Sequence, residues 1–180
     1  MLNRPAHSLD WNFIINWTLV SLVGLLLGTT AKGFIYPLVF AMVGGGMLGQ
    51  AAEGAAIGLV IGLAQQLALP PHLPCRTGWW LTTSFGWAIG WSVGWGLGWQ
   101  PPANFVLIGL IAGLVAGLGQ WLLLRRQVKW AGWWLVVSPL AWAGGLGLGL
   151  AVGGAFGWPL AGGLAGLLSG LALARVARQA

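Results

Sequence analysis

The chain has very little charge. Of its 180 residues 6% are charged, and the acids number two, Asp10 and Glu53, against eight Lys and Arg. A soluble domain carries about 25% charged residues, so this chain cannot cover itself with a polar surface. One cysteine, Cys75, excludes an internal disulfide and a cysteine-built metal site. The two histidines, His7 and His72, fall outside the apolar runs, so no span offers an imidazole to chlorophyll or haem. There is no Ser-His-Asp set, zinc spacing or phosphate loop, and the chain is expected not to be an enzyme and to hold no metal. The net charge of +6 comes from scarce acids rather than basic runs. It points to loops facing anionic lipid, with no nucleic acid partner.

What the chain does have is apolar: 58% hydrophobic residues, 14 Trp and 32 Gly, with a mean hydropathy of +0.84. The stretch Gly78 to Arg126 reads as one transmembrane helical hairpin. Its two arms, GWWLTTSFGWAIGWSVGWGLG and FVLIGLIAGLVAGLGQWLLL, carry no charge, and the turn at Trp99 to Asn104 holds Pro101 and Pro102. About 20 residues at 1.5 Å each cross a hydrocarbon layer of roughly 30 Å, and a backbone in lipid must satisfy its own hydrogen bonds, which selects helices.

The same unit recurs. Trp17, Trp80 and Trp134 each precede a serine by four residues, at Ser21, Ser84 and Ser138, and the last two share GWWLxxS. Gly58 and Gly62, Gly113 and Gly117, and Gly166 and Gly170 form small-xxx-small pairs in the second arms. The expected fold is therefore an all-α integral membrane protein of six transmembrane helices in three hairpins, at about 11–69, 78–126 and 132–176, with about 54 residues per copy (Gly78 to Gly132). Residues 1–10 are a cytoplasmic tail, 11–176 one membrane domain and 177–180 a basic tail. Depth along the spans pairs Ser21 with Gly62, Ser84 with Gly117 and Ser138 with Gly170 as close crossings within each hairpin.

Residues 30–69 leave two readings open. Either one long tilted helix follows TTAKG and projects beyond the bilayer, or Phe34 to Met42 forms an interfacial or re-entrant helix that breaks at Gly44, Gly45 and Gly46. Pro37, suited to a helix's first turn, favours the former. Six spans put Arg4, Arg76, Arg125, Arg126, Lys129, Arg175 and Arg178 on one side and Lys32 on the other. That asymmetry makes both termini cytoplasmic.

Most tryptophans, including Trp79, Trp80, Trp99, Trp121, Trp130, Trp133, Trp134 and Trp158, are expected in interfacial belts. Trp87, Trp91 and Trp95 lie deeper, beside the row Gly86, Gly90, Gly94 and Gly98. They either fill space left by facing glycines or wall an apolar groove for a pigment, quinone or lipid; a bound lipid or pigment is the one cofactor class the sequence leaves open. Gln65, Gln66 and Gln120 are expected to bond to neighbouring helices. Glu53, about 24 Å from the inner face by its place in the span, reads as a wet or Lys32-paired carboxylate rather than a proton relay.

The segments GLVAGLGQWLLLRRQVKWAGWW and GWWLTTSFGWAIGWSVGWGLG resemble the Gly/Trp-rich hairpin repeats of poorly characterised multipass membrane proteins of photosynthetic and related bacteria. The resemblance covers about residues 55–150 and implies a bacterial inner or thylakoid membrane, with no catalytic residues to carry over. Three function classes follow: a non-enzymatic scaffold or accessory subunit that packs against itself or a larger membrane complex, a small-solute or ion pathway, and a pigment, quinone or lipid binder. The first is the leading expectation.

Overall fold

The computed structural model describes residues 10–69, 77–126, 128 and 130–177. The expected tails at 1–9 and 178–180, most of the 70–78 loop with His72, Cys75 and Arg76, and Lys129 lie outside the described residues. Within them the chain is helical, without strands. The helices are α1 (Trp11–Val43), α2 (Met47–Ala68), α3 (Trp79–Gly96), α4 (Ala103–Leu124), α5 (Trp134–Val152) and α6 (Gly157–Ala177). Five stretches, at α1, α2, α4, α5 and α6, are long and apolar enough to cross a membrane. They make this a multipass membrane protein by length and composition. α3, at 18 residues and rich in Trp, Gly, Ser and Thr, falls outside that set.

α1 begins where Asp10 accepts from the Phe13 N–H at 3.1 Å, a side-chain cap on an orphan donor. It then corrects the reading of residues 30–69. No turn occurs at TTAKG: α1 runs 33 residues, with Pro37 in its interior rather than its first turn. The chain turns at Gly44 (φ 75°) and Gly46 (φ 80°), a left-handed geometry suited to glycine. The polar run does not end the helix because its hydroxyls are satisfied locally, Thr29 donating to the Leu25 carbonyl at 2.9 Å and Thr30 to that of Leu26 at 2.8 Å.

Each helix packs chiefly on its two neighbours in sequence, and α6 closes on α1, so the six form a ring. Glycine sets both kinds of contact. Between α1 and α2, a Cβ on Gly24 would lie 3.0 Å from the Ile61 Cα. Between α3 and α4, one on Gly90 would lie 2.8 Å from Ala112, and between α5 and α6, one on Gly145 would lie 2.8 Å from the Ala165 Cβ.

The glycine pairs picked from sequence lie on the other kind of interface. Gly58 abuts Ser84 and Gly62 abuts Trp80 of α3, Gly113 and Gly117 abut Ser138 of α5, and Gly166 abuts Ser21 while Gly170 abuts Trp17 of α1. A Cβ would come to 2.8 Å of Ser84 Cα from Gly58, and to 2.8 Å of Ser21 Cβ from Gly166. The expected crossings Ser21 with Gly62, Ser84 with Gly117 and Ser138 with Gly170 are thus replaced by contacts to the next helix around the ring. Depth fixes the height of a residue but not which of two neighbours its face meets.

Two core layers fill the ring. The first, at the end bearing Arg125, Arg126 and Arg175, holds Trp17, Trp79 and Trp134 with Leu69, Leu124 and Leu173. Ring centroids are 5.7 Å apart for Trp17 and Trp79 and 5.8 Å for Trp79 and Trp134. The second holds Leu25, Trp87, Trp91, Trp142 and Leu146 with Ile57, Ile61 and Ile108. Trp79 and Trp134 are therefore core residues and not belt residues, while Trp99, Trp130 and Trp133 stay exposed. Burial is possible because each indole N–H of the first layer finds an acceptor: Trp17 donates to Ser169 at 3.0 Å, Trp79 to Gln65 at 3.1 Å and Trp134 to Gln120 at 2.7 Å. The amides pass the chain on, Gln65 donating to Ser21 at 3.1 Å and Gln120 to Thr83 at 3.0 Å. Thr83, rather than Ser84, thus takes the place that Ser21 holds beside Gln65, one residue off the GWWLxxS alignment. Ser84 instead donates to the Ala55 carbonyl at 2.8 Å.

Candidate binding chamber beside Lys32 and Glu53

At the opposite end, between α1, α2 and α3, the core gives way to a cavity of about 320 Å³. Three features of the sequence build it. α1 continues through residues 30–43, which puts Lys32 and Tyr36, one turn apart, on its wall. α2 starts at Met47, so Gln50 and Glu53, three apart, share a face, and Gly45, Gly46 and Gly49 complete the lining on that side. On the far wall, α3 supplies Trp91 and Trp95. The start of α2 is pinned to α3 by Ser92, which donates to the Met47 carbonyl at 3.0 Å, and Gly54 lies directly against the backbone of Trp87.

Glu53 is 4% exposed. Its Oε2 accepts from the Trp91 indole N–H at 3.1 Å and lies 3.1 Å from the Lys32 ammonium. Lys32 sits 5.0 Å from the centroid of the Trp91 ring, so the same indole holds the carboxylate by its edge and the cation by its face. A buried carboxylate needs such compensation. The Lys32 side chain is 34% exposed against 5% for Glu53, so the pair has one wet and one dry member. Two of the residues lining the cavity, Gln50 and Trp95, each carry a polar atom, Oε1 and Nε1, that is turned away from the open space, closed off from solvent and without a hydrogen-bond partner. A second void of about 370 Å³, lined by Thr29, Lys32, Gly33, Tyr36, Trp91 and Trp158, shares three of its residues with the first.

The row Trp87, Trp91 and Trp95 is thus brought into the ring interior. Successive centroids are 6.3 Å and 6.1 Å apart, and the row extends sideways to Trp142, 5.1 Å from Trp87, and to Trp158, 6.5 Å from Trp91. The glycines beside it face another way: Gly86 and Gly90 are closed off by Ala112 and Ala116, and Gly94 by Ile108. Of the row, Trp91 and Trp95 line these two voids. The helix-packing residues Ser21, Gly58, Gly62, Ser84, Gly113, Gly117, Ser138, Gly166 and Gly170 all lie away from this chamber. No cluster of three His, Cys, Asp or Glu able to hold a metal occurs among the described residues.

Sequence reasoning named Trp91 and Trp95 as groove residues and paired Lys32 with Glu53, but did not place Lys32, Glu53, Gln50, Tyr36 or Trp158 on a shared wall. The spacing Gln50 to Glu53 and Lys32 to Tyr36 carried the signal, hidden by the expected turn after Thr30. Comparison with family models, curated proteins and solved structures gives no match. The chamber's chemistry is therefore read from its own geometry.

Proposed function

We propose that this chain is a non-enzymatic six-span membrane protein whose helix ring holds a one-ended binding chamber for a small amphiphile. The observation that carries this reading is the chamber wall: a buried, indole-clamped carboxylate and a partly wet ammonium beside an unfilled, aromatic-sided space. Apolar walls with a few convergent polar groups are the general form of a small-molecule site.

α3 is the sixth span in this reading. It lies in the ring between two candidate spans, and its Trp residues suit burial although they lower its hydropathy. Three hairpins are supported by the matched indole-to-acceptor bonds of Trp17, Trp79 and Trp134. Arg125, Arg126 and Arg175 on one end and Lys32 on the other support a cytoplasmic Arg-bearing end. The scaffold reading leaned on glycine faces free for partners, and those faces are covered inside the ring. The exposed faces carry Leu19, Leu27, Leu114, Leu140 and Leu148, as lipid contact requires. A through-pathway is disfavoured by the layer of Trp17, Trp79 and Trp134.

Native mass spectrometry of the protein from mild detergent tests the reading. One amphiphile should be retained per chain, and Gln50→Trp, which fills the chamber, should abolish retention without loss of the melting temperature. Equal retention by Gln50→Trp, or no retained molecule in any lipid mixture, sinks the chamber.

A further inference from the structure

We infer that the group bound in the chamber is a zwitterion, an ammonium joined by a short linker to a phosphate or carboxylate. This rests on the chamber reading above and adds the ligand's class. The charges of the wall sum to zero, with Glu53 negative and Lys32 positive at 3.1 Å. A ligand of net negative charge could take Lys32 only by leaving the dry carboxylate beside an anion, and a net cation would strand Lys32 in the same way. Uncompensated buried charge is the most costly outcome for such a pair. A zwitterion laid antiparallel to the pair lets each charge exchange one opposite partner for another, so the site stays neutral throughout.

The unpartnered atoms of two wall residues have the matching polarity and reach a ligand once their side chains turn into the space. Gln50 Oε1 is an acceptor on the same face of α2 as Glu53, and it serves the ammonium. Trp95 Nε1 is a donor, as is the Lys32 ammonium, and the two serve the anion. The rings of Trp91 and Tyr36 flank the space and favour a cation over their faces. The movable member of the pair is the wet one, since Lys32 is a flexible chain at the mouth while Glu53 is held by Trp91. Two sources present this chemistry: a phospholipid headgroup such as phosphatidylethanolamine, and a free soluble zwitterion.

The full-length protein is mixed in detergent with equimolar phosphatidylethanolamine and phosphatidylglycerol of identical acyl chains, and retained adducts are counted by native mass spectrometry. Wild type should retain the ethanolamine lipid about ten-fold over the glycerol lipid. The double variant Lys32→Met/Glu53→Gln removes both charges together and should bring that ratio to about one while melting above the single variant Lys32→Met. If the double variant does not fold, Trp95→Phe, which removes only the unpartnered donor, should lower the ratio about three-fold. Displacement by soluble glycerophosphoethanolamine assigns the site to a free zwitterion; retention against it assigns the site to the whole lipid, and both uphold the inference. Equal retention of the two lipids by wild type, a preference for phosphatidylglycerol, or a preference unchanged in the variants overturns it while leaving an amphiphile chamber. Retention of neither lipid, nor of glycerophosphoethanolamine, overturns the inference and the chamber reading together.

Discussion

Lys32 and Glu53 belong to different helices on either side of the Gly44 to Gly46 turn, yet their charged atoms meet at 3.1 Å inside the ring. The pair exists because α1 does not stop at the polar run before Lys32. Extending the helix carries Lys32 to the level of Glu53, and Trp91 then fixes the carboxylate. An acid in a span is stable only with such partners.

Removing one partner should therefore cost more than removing both. Lys32→Met alone leaves Glu53 with a single indole donor and should destabilise by about 2–3 kcal/mol, below the range for a fully dry pair because Lys32 is partly wet. The double variant Lys32→Met/Glu53→Gln should recover at least half of that loss. Thermal unfolding in one detergent measures the cycle; additive losses would mean that the two side chains do not interact.

The Trp layer at the other end makes a contrast between neighbours. Trp134→Phe deletes the donor to Gln120, leaving a buried amide oxygen unpaired, and should cost about 1–2 kcal/mol. Trp133→Phe, at a residue 59% exposed, should fall within about 0.5 kcal/mol of wild type. Equal effects would return both residues to the interfacial belt.

The all-helical character and the approximate ends of the helices after Gly78 could be read from the sequence because hydrophobic length is a one-dimensional signal. The Asp10 cap and the turn holding Pro101 and Pro102 also follow from local chemistry. Azimuth did not follow. Gly58, Gly113 and Gly166 were recognisable as contact points, but every helix in a closed ring has two neighbours, and the sequence does not say which one a small-xxx-small face meets. The TTAKG run misled for a related reason: Thr29 and Thr30 bond to their own helix, so residues that look like a turn are compatible with a continuous span.

The changed partner choice is testable by crosslinking. In a Cys75→Ser background, cysteines at Gly117 and Ser138 should crosslink readily, since a Cβ at Gly117 would lie 3.1 Å from the Ser138 Cβ. Cysteines at Gly117 and Ser84, the pair expected from depth alone, should not. The reverse pattern would return the glycine stripe of α4 to its own hairpin.

Bulk at the same stripe should disrupt the ring where bulk removed from the lipid face does not. Gly113→Leu would drive a side chain into Pro139, whose Cα lies 2.5 Å from the Cβ position, and should prevent a stable fold. Leu114→Ala and Leu118→Ala, on residues about half exposed, should each cost under about 1 kcal/mol, because lipid replaces the lost contact. Wild-type melting of Gly113→Leu would contradict the α4 to α5 contact.

Orientation gives the last test. The proposed topology puts Arg126 inside and the turn between α3 and α4 outside, and both Arg126 and Gln100 have exposed side chains. Asn104, in the first turn of α4, is fully buried and unsuited as a probe. In a Cys75→Ser background, a cysteine at Gln100 should react with a membrane-impermeant maleimide in intact cells, and one at Arg126 only after permeabilisation. Reaction of Arg126→Cys alone in intact cells would contradict the topology, either by inverting the protein, with the Lys32 chamber on the cytoplasmic side, or by removing α3, the shortest helix and outside the set of clear spans, from the membrane. Reaction of both from one side would remove α4, the one helix between them, from the membrane.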